Sequence, residues 1–351
     1  MVQVSLERLR SVEALDCRKA TMRAMILAAG YGTRLWPLTV DRTKPAIPFL
    51  GRPLVGYVAE YLARNGISEV VVNLHHRPES VRSALGDGSN FGVKLSYVDE
   101  PVILGPSGAL DNARDLLAGE TFVVINGKIV TDIDLFQAIK THRESEALAT
   151  LVLRENPLRE NFTAVETRDG LITNFGGLPA PGAGASPADA NRPPLMFTGI
   201  HLMEPRIFDY IPRGVFSHTV TDVYLPAMAK GERIAAHVAT GRWYELSTIQ
   251  RYLEISLSLM AEQGRDVEMG ADCEIHSGAA VSQSILWDRV VVEDGATVHR
   301  SILGDGVRIR SGELVEKSAV VLAALVRHED RPAKALPGVF KGDNFVVPLA
   351  R

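Results

Sequence analysis

Two glycines and two cations lie close together near the start of this chain, in an order suited to holding a polyphosphate. The run is Leu27-Ala28-Ala29-Gly30-Tyr31-Gly32-Thr33-Arg34, and Lys44 follows ten residues after Arg34. Gly30 and Gly32 can take backbone angles that other residues resist, so successive amide N–H groups can turn inward around anionic oxygens. Arg34 offers a planar fork that matches a diphosphate, and Lys44 a compact charge for a single phosphoryl group. A bare G-x-G reads first as a turn between strand and helix. Here the cation spacing and the preceding apolar run reverse that reading. The dinucleotide fingerprint needs a third glycine where Leu35 stands, and no G-x-x-x-x-G-K-[ST] run occurs.

The elements that must hold this loop follow a regular rhythm. Strand-like runs are Met25–Ala28, Glu69–Leu74, Val93–Val98, Thr121–Ile125 and Ala147–Leu153. Helical patterns lie between them at Pro53–Asn65, Pro78–Leu85, Gly108–Leu117 and Asp134–Arg143. That alternation predicts βαβ units on a mostly parallel, Rossmann-like sheet. Ligands in such sheets sit beyond the carboxyl ends of the strands, where Gly30–Arg34, Asn73–His76 and Asn126–Lys128 fall. Residues 176–194 hold four glycines, five prolines and five alanines among nineteen positions, a composition expected of a flexible loop. Strand character returns at Leu195–Met203, helical character is an option over Val220–Ala229, and a helix is expected from Thr248 to about Ala261.

The chain has 351 residues, 46% of them hydrophobic, and a net charge of −4. That length allows two domains, and the absence of a basic stripe argues against nucleic acid as a partner. No apolar run approaches the roughly 20 residues of a membrane span, which argues against a membrane partner. Cys17 and Cys273 are far apart and form no metal-type cluster, which fits a reducing cytoplasm. Residues 1–21 are charged throughout and read as a dispensable extension, with Met22 an alternative start.

Aliphatic residues then recur at Met269, Ile275, Val281, Leu286, Val292, Val298, Leu303, Ile309, Val315 and Val321, in steps of six with two steps of five. A period of six suits a hexapeptide β-solenoid of about three coils. The expected organisation is an extension over 1–21, a first domain over 22–263, a solenoid over 264–330 and a tail over 331–351.

With these motifs in place, the opening run resembles that of the sugar-1-phosphate nucleotidyltransferases, in the form L-A-A-G-x-G-T-R-L-x-P-L-T followed by P-K-P, with Thr43 in place of the first proline. Pro45 to Leu54 matches the segment after the lysine, Leu104 to Leu110 the G-T-x-G-A-L turn, and Phe197-Thr198-Gly199-Ile200-His201 the T-G-I segment. The likeness covers residues 22 to about 330 and is nearest to bacterial mannose-1-phosphate guanylyltransferases and NDP-sugar synthases, with a left-handed parallel β-helix appended. The resemblance implies catalytic roles for Arg34 on the leaving pyrophosphate and Lys44 on the reacting phosphate. It implies nucleotide binding by Leu27, Ala28, Ala29, Gly30, Gly32, Thr33, Asn73, Gly105, Ser107 and Gly108. Sugar binding would fall to Asn126, Gly127, Glu166, Thr198 and Gly199. It further implies an NTP, with GTP favoured, a sugar 1-phosphate, a Mg²⁺ cofactor and homo-oligomers formed through the β-helix. GDP-mannose is the leading product.

The metal motifs depart from this pattern. The family's N-G-D reads Asn126-Gly127-Lys128, and its W-x-D-x-G-T reads Trp243-Tyr244-Glu245-Leu246-Ser247-Thr248, leaving Glu245 as the remaining metal ligand. Pro106 replaces a threonine, Thr163 a glycine, and Gly177-Leu178-Pro179 the usual Glu-Lys-Pro. Several readings of Lys128 stand open. Its amine can replace the metal; Asp132 or Asp134 can reach a displaced metal with Glu245, although Asp134 fits a helix N-cap better. Catalysis can have been lost, leaving a regulatory partner of an active paralogue, or the lysine can be an introduced substitution. Adjacent His75 and His76 would point to opposite strand faces. Trp243 suits a base stack or a pocket wall. His276 and His299 raise a hexapeptide acyltransferase reading, which leaves the phosphate loop unexplained.

Overall fold

The computed structural model describes residues 22–182 and 192–349. The expectations for residues 1–21, and for 183–191 of the glycine- and proline-rich stretch, lie outside the described residues. The described part of that stretch includes a short strand, Leu178–Pro179, which pairs antiparallel with Leu171–Phe175.

Arg23–Leu27 is the third strand from one edge of a ten-stranded sheet, flanked in parallel by Glu69–Leu74 and Phe122–Asn126, with Lys94–Asp99 parallel beyond. The first three strands are apolar on both faces and covered on both, whereas Lys94–Asp99, at the sheet edge, is polar and only partly covered. Ala24, Ile26, Val123 and Ile125 enter one core with the helix Leu54–Arg64, while Met25, Phe122 and Val124 enter the other. Register fixes the site: Leu27 lies opposite both Asn73 and Asn126 at the carboxyl ends of three adjacent strands.

Leu195–Met203 runs antiparallel between Phe122–Asn126 and Ala149–Glu155. Its register shifts between Phe197 and Ile200, where Gly199 takes φ +86°. The expected helix over Gly108–Leu117 forms earlier and as two pieces, Gly105–Asn112 and Arg114–Leu117. Val220–Ala229 is helical, with a π-helical turn over Thr219–Tyr224 leading into Leu225–Ala229.

Beyond the helix Ile249–Glu262 the chain coils as a parallel β-helix with three faces. Ser284–Leu286 stacks on Val267–Met269, and Val291–Val292 stacks on Glu274–Ile275, so each coil takes 17 residues. Leu286 and Leu303 lie under Val320, not Val321. The last step is therefore five, as the 17-residue coil requires, and Val321 turns to a different core. Residues expected as a tail return as two antiparallel strands, Val339–Lys341 and Asn344–Pro348, the second paired to Ser318–Leu322.

The solenoid shares a core with the segment behind the glycine loop. Leu35, Trp36, Leu38, Ile47 and Phe49 pack in one cluster with Tyr252, Ile285, Trp287, Ile302 and Phe345. Arg42 joins the two surfaces through Asp305 at 2.6 Å and lies 4.9 Å over the Trp287 ring. Trp287 donates to the Tyr252 hydroxyl at 3.1 Å, which donates to the Pro48 carbonyl at 2.7 Å. Trp287→Ala is therefore expected to cost about 3–5 kcal/mol in urea denaturation. A loss below about 1 kcal/mol would contradict a shared core.

Candidate functional site

A cavity of about 370 Å³ opens at the carboxyl ends of the central strands. It is lined by Leu27, Ala28, Ala29, Gly30, Gly32, Thr33 and Arg34, by Lys44 and Asn73, and by Gly105, Asn126 and Lys128. Most of the nominated residues therefore meet in one place. The two glycines have different roles. Gly32 has φ +66°, and a Cβ there would lie 3.0 Å from the Lys44 Cβ, so the loop can close over the lysine only with glycine. Gly30 is not in the left-handed region and a Cβ there would meet nothing within 4 Å, so its smallness leaves room in the cavity instead.

Lys44 starts a short 3₁₀ turn, Lys44–Ala46, and is 7% exposed. Thr43, in place of the family proline, donates its backbone N–H to Ser80 Oγ at 3.1 Å, a bond that proline cannot make. Burial pushes the Lys44 ammonium down to about 7; Lys128 and Arg34 push the same way and Glu245 opposes them.

Asn73 serves the loop as well as the cavity. Its Oδ1 accepts from the Ala28 N–H at 2.8 Å, and its Nδ2 donates to Glu100 Oε1 at 2.6 Å. Glu100 Oε2 accepts from the Leu104 N–H at 2.9 Å. This buried carboxylate, which lines the cavity and ties two of its loops together, was not anticipated from the sequence. Its signal was its place just past the carboxyl end of a parallel strand.

Ser107 and Gly108 do not line the cavity among the described residues. Ser107 is fully buried, with Oγ 3.2 Å from Thr219 Oγ1, and a Cβ on Gly108 would lie 2.6 Å from the Val215 carbonyl. Both pack the helix start against the 215–219 segment. Pro106 lies in the first turn of that helix, where a missing N–H costs nothing.

On the other side, Gly199 is required because a Cβ would meet Asn126 Nδ2 at 2.3 Å. Gly127 donates to the Leu27 carbonyl at 3.0 Å, which fixes the approach of two strand ends. Thr198 Oγ1 donates to the Val152 carbonyl at 2.7 Å, and the Thr198 carbonyl accepts from Trp243 Nε1 at 2.8 Å. Trp243 is thus a buried wall with Phe162 against its edge, not a free stacking surface. Gly199 backs Asn126, and Thr198, Gly199 and Gly127 do not line the cavity. Glu166 lies outside it too, because its strand pairs it with Asn174 in an outlying hairpin.

His75 and His76 lie past the end of their strand, so they do not take opposite faces. Both rings gather around Tyr31, at 5.5 and 5.3 Å, and His75 Nδ1 is 2.8 Å from the Glu100 carbonyl. In the solenoid, His276 lies 3.4 Å from Asp294 and His299 lies 2.9 Å from Ser282 Oγ.

Trp243–Glu245 pairs antiparallel with Ile129–Thr131, placing Glu245 opposite Ile129 and beside Lys128. Lys128 Nζ donates to Glu245 Oε1 at 2.9 Å. Burial opposes the Glu245 charge, but Lys128, and more weakly Lys44 and Arg34, outweigh it and hold the carboxyl below its usual range. Asp134 caps the helix Leu135–Ser145 by accepting from the Phe136 and Gln137 N–H groups. Asp132 accepts from the Arg242 N–H at 2.6 Å. No group of three metal-binding side chains occurs among the described residues. The site therefore does not fit the expected Mg²⁺: one ligand position is a cation, and the other carboxylate is bound to it.

Comparison with known proteins agrees with this architecture. Residues 23–262 match the Nucleotidyl transferase family and residues 262–326 the family described as GlmU-like, C-terminal hexapeptide. The chain belongs to the nucleotidyl transferase family. It is 31% identical to a UTP–glucose-1-phosphate uridylyltransferase of Synechocystis, over 78% of this chain and 72% of that protein. It is 34% identical to an N-acetylmuramate alpha-1-phosphate uridylyltransferase of Neisseria meningitidis, over 66% and 96% respectively. A mannose-1-phosphate guanylyltransferase of Mycobacterium tuberculosis is 28% identical over 75% of this chain and 72% of that one. A Bacillus anthracis structure shares the fold with a TM-score of 0.56 and 24% identity, over 71% of this chain and 97% of that one. No helix among the described residues is long and apolar enough to cross a membrane.

Two outcomes test the loop geometry. Gly32→Ala is expected to cost about 1–2 kcal/mol and to weaken triphosphate binding, whereas Gly30→Ala should stay within about 0.5 kcal/mol of wild type. Equal stability losses in thermal melts would contradict the different roles assigned to them. Lys44, largely neutral above its value of about 7, is expected to regain its proton when an anion binds. Calorimetry at pH 8 in buffers of different ionisation enthalpy should register uptake approaching about one proton, absent in Lys44→Met.

Proposed function

We propose that the protein transfers a nucleoside monophosphate from an NTP to a sugar 1-phosphate. A phosphate oxygen of the sugar phosphate attacks the α-phosphorus. The bond from that phosphorus to the oxygen bridging the β-phosphate breaks, and pyrophosphate leaves with the electron pair. The observation that carries this reading is the convergence of Arg34, Lys44 and Lys128, from three separate segments, on the cavity framed by the backbone of residues 27–33. Such a site works by positioning and charge neutralisation. Arg34 would hold the leaving pyrophosphate and Lys44 the reacting phosphoryl group. Asn126, supported by Gly199, would face the sugar phosphate.

GDP-mannose is the leading product, supported by the family resemblance and by relatives named as mannose-1-phosphate guanylyltransferases. UDP-glucose is its rival, supported by the Synechocystis relative. The solenoid supports a homo-oligomer, since its parallel coils expose flat faces. A second reading, a nucleotide-binding regulatory homologue without turnover, is favoured by one observation: the Lys128–Glu245 ion pair uses the only carboxylate at the metal position.

Incubation with each NTP and with mannose or glucose 1-phosphate, followed by pyrophosphate measurement, separates the two. The transfer reading predicts pyrophosphate with at least one pair, and a loss of about a hundredfold or more in kcat for Lys44→Met. No pyrophosphate with any pair, together with a raised melting temperature in the presence of nucleotide sugar, would leave only the regulatory reading.

A further inference from the structure

We propose that Lys128, held by Glu245, stands in for the divalent cation of the nucleotide site, so that this protein binds a triphosphate without metal. The inference rests on the nucleotide reading of the cavity, but not on turnover.

Charge and geometry support it together. A divalent ion between two carboxylates adds no net charge to a site, and neither does an ammonium beside one carboxylate. The exchange of aspartate, metal and aspartate for lysine and glutamate therefore leaves the net charge of the site unchanged. The ammonium is also in the right place. Lys128 lines the cavity with Arg34 and Lys44, and its side chain is 32% exposed against 12% for Glu245. The cation thus faces the space and the carboxylate backs it. Glutamate, one methylene longer than the family aspartate, spans the distance to Nζ at 2.9 Å. An ammonium paired through one oxygen retains N–H donors for phosphate oxygens. The other acids nearby do not compete for these donors: Glu100 is held by Asn73 and Leu104, Asp132 by Arg242, and Asp134 by the start of a helix.

The test is calorimetric titration of the full-length protein with GTP, UTP, ATP and dTTP in turn, in EDTA and in Mg²⁺. The nucleotide that binds wild type is expected to do so with Kd values within about threefold in the two conditions. Lys128→Met, which removes the charge but retains length, should weaken that binding about tenfold or more in EDTA, and Lys128→Arg should restore most of it. Lys128→Asp, which rebuilds a carboxylate pair with Glu245, should bind weakly in EDTA and recover about tenfold or more with Mg²⁺. Melting curves of each variant confirm folding, and retained binding by Lys128→Arg separates loss of the cation from loss of the fold. Wild-type binding that falls tenfold in EDTA, or Lys128→Met binding as tightly as wild type, would overturn the proposal. Failure of all four nucleotides in both conditions would remove the nucleotide reading beneath it. Metal-free binding without pyrophosphate release would remove only the claim of turnover.

Discussion

The repulsion among Lys44, Lys128 and Arg34, held in one partly buried cleft, is the constraint on which the site depends. Lys128 and Arg34 both act against the charge of Lys44, and Glu245 opposes them. A fold can hold such a cluster only if its backbone is fixed by other means. Here two parallel strand registers, a glycine with positive φ and the Asn73–Glu100 bridge hold the surrounding loops. The unfavourable field is then available to an anion that enters the cleft.

The solenoid contributes to that rigidity. Its inner face and the segment from Leu35 to Phe49 bury one another, and Arg42 with Asp305 fixes their contact beside Trp287. The phosphate loop therefore rests on a wall built more than two hundred residues later in the chain. A repeat domain usually associated with assembly here also supports the segment behind the glycine loop.

Much of this was legible in the sequence because it is local. Strand alternation, the glycine loop and the hexapeptide period each appear within a few tens of residues, and the fold follows them. What was hidden is what distance creates. Glu100 belongs to no motif, and its role appears only when the ends of two strands bring it to Asn73. Ser107 and Gly108 belong to a motif, yet they serve packing, because that motif starts a helix pressed against the 215–219 segment. Lys128 and Glu245 read as two separate departures from a family pattern, 117 residues apart. Folded, they form a single ion pair that exchanges one electrostatic solution for another.

A crystal structure with a non-hydrolysable GTP analogue, or the analogue of whichever nucleotide binds, grown with Mg²⁺ present, bears most directly on that exchange. The account predicts Lys128 Nζ at about 2.8–3.0 Å from a phosphate oxygen, still paired with Glu245 and with no ion between them. An ordered Mg²⁺ ligated by Glu245, with Lys128 turned out of the cleft, would contradict it.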